Sequence, residues 1–119
     1  MVPIASEPTE QEVREEISRE IHRIYEESYG RGAGSAETLM GDGWAIVILA
    51  ELELLPNEEL LVESGDRDAV TGVRTRYQQA IQAPLRAAVE RATGRKVTGF
   101  ASTTSVDKPR FAVEIFKLD

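Results

Sequence analysis

The stretch Trp44-Ala45-Ile46-Val47-Ile48-Leu49-Ala50 constrains this chain more than any other. It is uncharged, rich in β-formers and apolar on both faces. It follows directly on Gly41-Asp42-Gly43, a strong turn signal. Seven such residues fall far short of the ~20 that cross a bilayer. They read as a strand at the centre of a sheet, with cover expected on both sides. The turn before them demands an antiparallel neighbour. Ala36 to Met40 is placed to supply it.

The flanking segments carry a different period. Thr9 stands three residues before Glu12, the spacing of a capping box. Val13, Ile17, Ile21, Ile24 and Tyr25 then recur at three and four, which predicts a helix ending near Tyr29, where Gly30, Gly32 and Gly34 begin. Residues 1–8 are expected to be a flexible N-terminus and residues 9–119 a single domain. After the central strand, Pro56 closes the section. Asn57 is expected to cap a short helix over Glu58–Val62 that ends at Gly65. A long helix is predicted from Asp66 or Asp68 to Gly94, with Val70, Val73, Tyr77, Ile81, Leu85, Ala88, Val89 and Ala92 on its apolar stripe. Pro84 is expected to kink it or split it in two.

The last segment reads as a second hairpin. Val97 to Thr104 and Arg110 to Leu118 are its strands, joined by Val106–Pro109. In the final strand Phe111, Val113 and Ile115 share one face, and Ala112, Glu114, Phe116 and Leu118 share the other. The order α-β-β-α-α-β-β describes a two-layer α+β domain with a four-stranded, mainly antiparallel sheet. One helical layer covers one sheet face, so the other stays open. The Ala112, Phe116 and Leu118 side is expected to be the open one. A face of that size calls for cover. A twofold homodimer is the preferred cover, and the first helix crossing to that side is the competing one.

Composition removes whole classes of function. There are no cysteines, which excludes disulfide scaffolds, thiolate metal sites and cysteine nucleophiles. One histidine cannot build a histidine-rich metal centre or a convincing catalytic triad. The net charge is −7, with 4 basic and 15 acidic residues up to Gly65 and 10 basic and 6 acidic after it. An acidic chain is repelled by phosphate backbones, so nucleic acid is not an expected partner. The N-terminal residues lack a basic region followed by an apolar one, so a cytoplasmic protein is expected. No cofactor and no catalytic residues are expected.

A few residues still suggest chemistry. Gly30-Arg31-Gly32 frees backbone N–H groups beside a cation, as an anion-binding loop would, although a helix stop and turn is its preferred reading. Arg74 sits beside the long helix's stripe and either pairs with a carboxylate or holds an external anion. Glu114 lies among Ala112, Phe116 and Leu118, and if that face is covered its carboxylate needs a partner such as Arg74 or Arg31. His22 and Glu26, four apart on the first helix, are an isolated pair. The candidate ligand-binding set is therefore Gly30, Arg31, Gly32, Arg74 and Glu114.

The order of Ile17, Ile21, Tyr29-Gly30-Arg31-Gly32, Trp44–Leu49, Leu54-x-Pro56-x-Glu58, Val73-Arg74, Tyr77, Thr93–Val97 and Val113–Leu118 resembles the MpsC-like, or YbcI-type, family over roughly residues 10–119. Two positions depart from that family's pattern: Ala33, where it often has Pro, and Leu55, where it often has Thr. The resemblance implies no reaction and no catalytic residues. It implies an association with a membrane-potential-generating, sodium-translocating system whose other parts are membrane proteins. The function it suggests is a non-enzymatic accessory or regulatory protein of ion or bicarbonate transport, with a membrane-protein partner. A small-anion or small-metabolite sensor is the alternative.

Overall fold

The computed structural model describes residues 7–119. The expected flexible segment lies, up to residue 6, outside them. Helix α1 runs over Glu10–Tyr29, strand β1 over Ala33–Gly41 and strand β2 over Trp44–Leu52. Helix α2 (Pro56–Glu63), helix α3 (Arg67–Thr93), strand β3 (Val97–Ser105) and strand β4 (Phe111–Leu118) complete the order. This is the α+β arrangement with four antiparallel strands that the sequence predicts.

Local chemistry sets the boundaries. The Thr9 hydroxyl accepts a hydrogen bond from the Glu12 N–H, and the Glu12 carboxylate accepts one from the Thr9 N–H, a complete capping box. Gly30 ends α1 in the left-handed region, at φ 79°, where a side chain would be strained. Gly94 ends α3 in the same way. Helix α3 continues through Pro84 as one element, so the expected split does not occur. At α2 the N-cap is Leu55 rather than Asn57, with Pro56 as the first helical residue. Glu58 reaches back to accept from the Leu55 N–H at 2.8 Å, which replaces the missing side-chain cap.

The two hairpins join through β2 and β4, giving the strand order β1-β2-β4-β3. Central placement of β2 is therefore correct. Within one chain the described helices cover only one of its faces. Ala45, Val47 and Leu49 are buried, whereas Ile46, Ile48 and Ala50 are half-buried and Trp44 is exposed.

Register sorts the sheet into rows. One face carries the rows Met40–Ala45–Phe116–Phe100, Thr38–Val47–Glu114–Ser102 and Ala36–Leu49–Ala112–Thr104. Helices α1 and α3 pack on this face and on each other. The opposite face carries Leu39–Ile46–Ile115–Ala101 and Glu37–Ile48–Val113–Thr103, flanked by Trp44 with Lys117 and by Ala50 with Phe111. No helix of the described residues crosses to it. The expectation for the final strand is thus reversed: Ala112, Phe116 and Leu118 are fully buried, and Phe111, Val113 and Ile115 face outward. Alternation fixes which residues share a face, but both faces of β4 are apolar. Only the docking of the helices decides between them.

The stripe of α3 also differs from its expected course. Val73 and Tyr77 are 50% and 46% exposed, while Arg74 and Gln78 occupy the buried positions between Val70 and Ile81. The helix turns two polar side chains inward.

Candidate functional site

Buried polar side chains of α1, α3 and β4 meet beneath the helices. Glu114, from the middle of β4, is fully buried. Its partners are not the arginines anticipated from sequence. The Tyr25 hydroxyl of α1 donates to its carboxylate, and the Ser102 hydroxyl of β3 is its cross-strand neighbour. One end of the Gln78 amide lies 2.7 Å from Glu114 Oε1. The other lies 2.6 Å from the Tyr25 hydroxyl and 2.7 Å from that of Tyr29.

The cluster has more acceptors than protons unless Glu114 carries one. If the amide nitrogen faces the tyrosines, its oxygen faces Glu114, and two acceptors meet unless the carboxyl carries a proton. If the amide is turned over, the nitrogen donates to Glu114, but the single Tyr25 proton must serve both Glu114 and the amide oxygen. A proton on Glu114 satisfies every contact in either orientation. Burial also pushes the Glu114 carboxyl up to about 7, against hydrogen bonds from Tyr25 and Ser102 that pull it down. Burial, reinforced by the carboxylate, likewise raises the Tyr25 phenol.

Arg74 lies on the far side of Tyr29. Its guanidinium stacks 4.2 Å from the centre of that ring. Nε and Nη2 donate to the two oxygens of Glu58 on α2, at 2.9 and 2.8 Å. Burial raises Glu58, but the bonds from Arg74 and the Leu55 N–H outweigh it and hold the carboxyl below its usual range. Nη1 of Arg74 is buried and has no hydrogen-bond partner among the described residues. Arg74 also walls a crevice of about 170 Å3 between the end of α1, the start of α2 and α3.

The glycine loop serves packing. A Cβ on Gly32 would sit 2.7 Å from Glu26 Cγ and 2.9 Å from His22 Nε2. Only glycine lets the chain pass this close to α1. His22 itself ties α1 to β1, with Nδ1 2.9 Å from Glu26 and Nε2 2.8 Å from the Ala33 carbonyl. Both ring nitrogens are engaged. No metal-binding cluster of three such ligands occurs among the described residues. Arg31 is exposed and makes no ion pair among them.

Of the candidate set, Arg74 and Glu114 are thus brought close, linked through Tyr29 and Gln78. Gly30 does not line the Arg74 crevice; a Cβ placed on it would lie 3.9 Å from Leu55, which does. Arg31 and Gly32 do not join the buried cluster. Tyr25, Tyr29, Gln78, Ser102 and Glu58 were absent from the set. The detectable signal was the i,i+4 pair Arg74 and Gln78, polar residues inside a helical stripe. A wider groove of about 740 Å3 runs between α1 and the outer edge of β1. Its half-buried Ser18 and buried Thr38 bond to each other at 2.7 Å.

No helix of the described residues is long and apolar enough to cross a membrane. The chain finds no match among the curated proteins or the solved structures. Residues 9–119 match the family described as the Na+-translocating membrane potential-generating system (MpsC), and the chain belongs to that family.

Proposed function

We propose that this chain is a non-enzymatic accessory or regulatory protein of a membrane-potential-generating, ion-translocating system. It acts in the cytoplasm beside membrane-protein partners, as a homodimer. The observation that carries this reading is the open sheet face in a member of this family. Leu39, Trp44 and Phe111 are 46%, 45% and 37% exposed there, beside half-buried Ile46, Ile48, Val113 and Ile115. Glu37 and Lys117 are its charged members. Four strands of eight or nine residues make a rectangle of roughly 19 by 30 Å, on the order of 550 Å2 in projection. Side chains raise the accessible area toward the ~800 Å2 that a standard interface buries per partner. The same face of a second chain therefore closes it without further elements.

Light scattering on dilute protein tests the dimer. A mass near twice 13.2 kDa is expected, falling to 13.2 kDa in Ile115→Asp with the fold retained. A monomeric parent overturns the dimer. A potential-sensitive dye tests the system-level role. Cells lacking this chain should lose sodium-dependent potential and regain it with the parent sequence, and an unchanged potential overturns the role.

The second reading is a small-anion or small-metabolite sensor, drawn from Gly30, Arg31, Gly32, Arg74 and Glu114. The orphaned Nη1 of Arg74 favours it. A ligand held by the folded state alone would raise the melting midpoint.

A further inference from the structure

We propose that the outer edge of β1 takes up an extended segment of a partner protein as an added antiparallel strand. The inference gives the accessory reading its point of contact and rests on it. The ladder fixes which backbone groups are free. The Leu118 N–H donates to the Gly43 carbonyl at 2.7 Å. Gly43, Ala45, Val47 and Leu49 therefore turn their backbone groups toward β4. Trp44, Ile46, Ile48 and Ala50 turn theirs toward β1, onto Gly41, Leu39, Glu37 and Ser35. The intervening Ala36, Thr38 and Met40 aim N–H and carbonyl away from the sheet. The Thr38 hydroxyl is tied to Ser18, but none of these backbone groups has a hydrogen-bond partner among the described residues.

Sheets blunt a free edge with a bulge, a lysine, a proline or a cover. The opposite edge, β3, is blunted where it starts. Its register shifts between Val97 and Gly99, and Glu90 and Arg86 of α3 take the Val97 N–H and carbonyl at 2.9 and 2.8 Å. Strand β1 keeps an unbroken register from Ser35 to Gly41 and contains neither lysine nor proline. Beside it runs the groove of about 740 Å3, with Ser35 to Leu39 along one wall and α1 along the other. At about 3.4 Å per residue, Ser35 to Met40 gives a partner strand roughly 20 Å of edge to follow. Main-chain pairing along such an edge supplies affinity, and alternate side chains supply the choice of partner.

The two walls set that choice. An added strand points one side chain toward α1 and the next toward the open face. On the α1 wall, Arg14 is paired with Glu10, and Glu15 accepts from the Gln11 amide at 3.1 Å. Arg19 is exposed and makes no ion pair among the described residues. On the open-face wall stand Glu37, likewise unpaired among them, and exposed Leu39. Acidic residues toward Arg19, with a basic residue between apolar ones toward Glu37 and Leu39, answer both walls. A second copy of β1 does not. Twofold pairing about Thr38 would set Leu39 of the copy opposite Glu37 and bring only Ala36, Thr38 and Met40 beside Arg19.

The probe is the peptide acetyl-TVEKEV-amide, added to the full chain at about 5 mM. Its glutamates would face α1 and its lysine and valines the open side. Hydrogen exchange at the Ala36, Thr38 and Met40 amides should slow about sixfold for a site of about 1 mM affinity. Methylating the backbone nitrogens of the two glutamates, which would point at β1, should abolish the slowing. Methylating that of the lysine, which would point away, should leave it. The charge-exchanged acetyl-TVKEKV-amide should bind about tenfold more weakly, and Arg19→Glu, an exposed change, should erase that preference. No slowing overturns the docking site, and slowing that survives methylation of the glutamate nitrogens overturns the added strand. Equal binding of the charge-exchanged peptide overturns the acidic segment. Slowing in peptide-free protein that grows with its concentration would make the occupant a second copy and overturn the partner segment. A silent edge in a chain that still restores sodium-dependent potential removes this contact alone. A silent edge together with an unchanged potential removes the accessory reading as well.

Discussion

The two faces of the sheet invert the usual division of labour. The covered face hides a carboxyl, a carboxamide and two phenols among aliphatic side chains. The open face shows Leu39, Trp44, Ile46, Ile48, Phe111, Val113 and Ile115 around a single glutamate and a single lysine. Burying polar groups is tolerable only when each is hydrogen-bonded, and here Tyr25, Gln78 and Ser102 do that for Glu114, while Tyr29 does it for Gln78. Exposing hydrocarbon is tolerable when something else covers it. Neither face is what folding stability alone would select. A proton on Glu114 is what the inner face asks for, and the proposed homodimer would answer the outer one.

Adjacent residues on β4 give the sharpest test of that contrast. Phe116 packs against Phe100 at 5.3 Å between ring centres and is fully buried. Phe116→Ala should cost ~3–5 kcal/mol, and Leu85→Ala under α3 ~2–5 kcal/mol, in denaturant melts. Ile115→Asp, one residue away on the other face, should leave the monomer folded and remove only self-association. If Phe116→Ala melted like the parent, the assignment of the two faces would be wrong.

A pH series separates the two inner glutamates. Glu58 is held below its ordinary value, so its contribution is present above pH 4.5 and is lost as pH falls through its folded value. Glu114 runs the other way. Its folded value, about 7, lies above the ordinary 4.5, so the folded state binds the extra proton. Stability should therefore decline as pH rises from about 4.5 to 7, reaching a cost of about 3 kcal/mol above pH 7. Glu114→Gln keeps a neutral, hydrogen-bonding side chain and should abolish this alkaline decline. A variant that declines as steeply as the parent would mean that Glu114 is not the titrating group.

How much of this was legible beforehand follows the same inner and outer split. Thr9 with Glu12, Gly30, the Gly41–Gly43 turn and the alternation in β4 act through near neighbours, so the elements and their order could be read directly. The choice between the two apolar faces of β4 could not, because it depends on where α1 and α3 dock. The stripe of α3 misled for a related reason. Val73 and Tyr77 fit a helical period as apolar residues, yet Arg74 and Gln78 point inward because Tyr29, Glu58 and the Glu114 cluster await them. Those partners lie 16 to 53 residues away in the chain, beyond any local pattern. The glycine loop was legible as a helix stop, and the need for Gly32 came from His22 and Glu26 one helical turn apart.

The smallest effect concerns the outer face, and a natural probe sits on it. Trp44 is the sole tryptophan. It lies at the first row of the open face, with the Lys117 ammonium 5.3 Å from its ring centre. Lys117 also donates to the Leu118 carbonyl at 2.7 Å, which fixes the ammonium near the ring. A half-exposed cation–π contact of this kind contributes ~0.5–1 kcal/mol, so Lys117→Ala should lower monomer stability by no more than that. Its effect on fluorescence should be more telling. If the open faces pair, dilution of the parent moves Trp44 from a covered to a half-exposed setting, and its emission shifts to the red over the range where light scattering reports dissociation. Ile115→Asp should emit at the red position at every concentration. An emission maximum that ignores both dilution and Ile115→Asp would place Trp44 outside any interface, and the cover of the open face would have to come from a partner other than this chain.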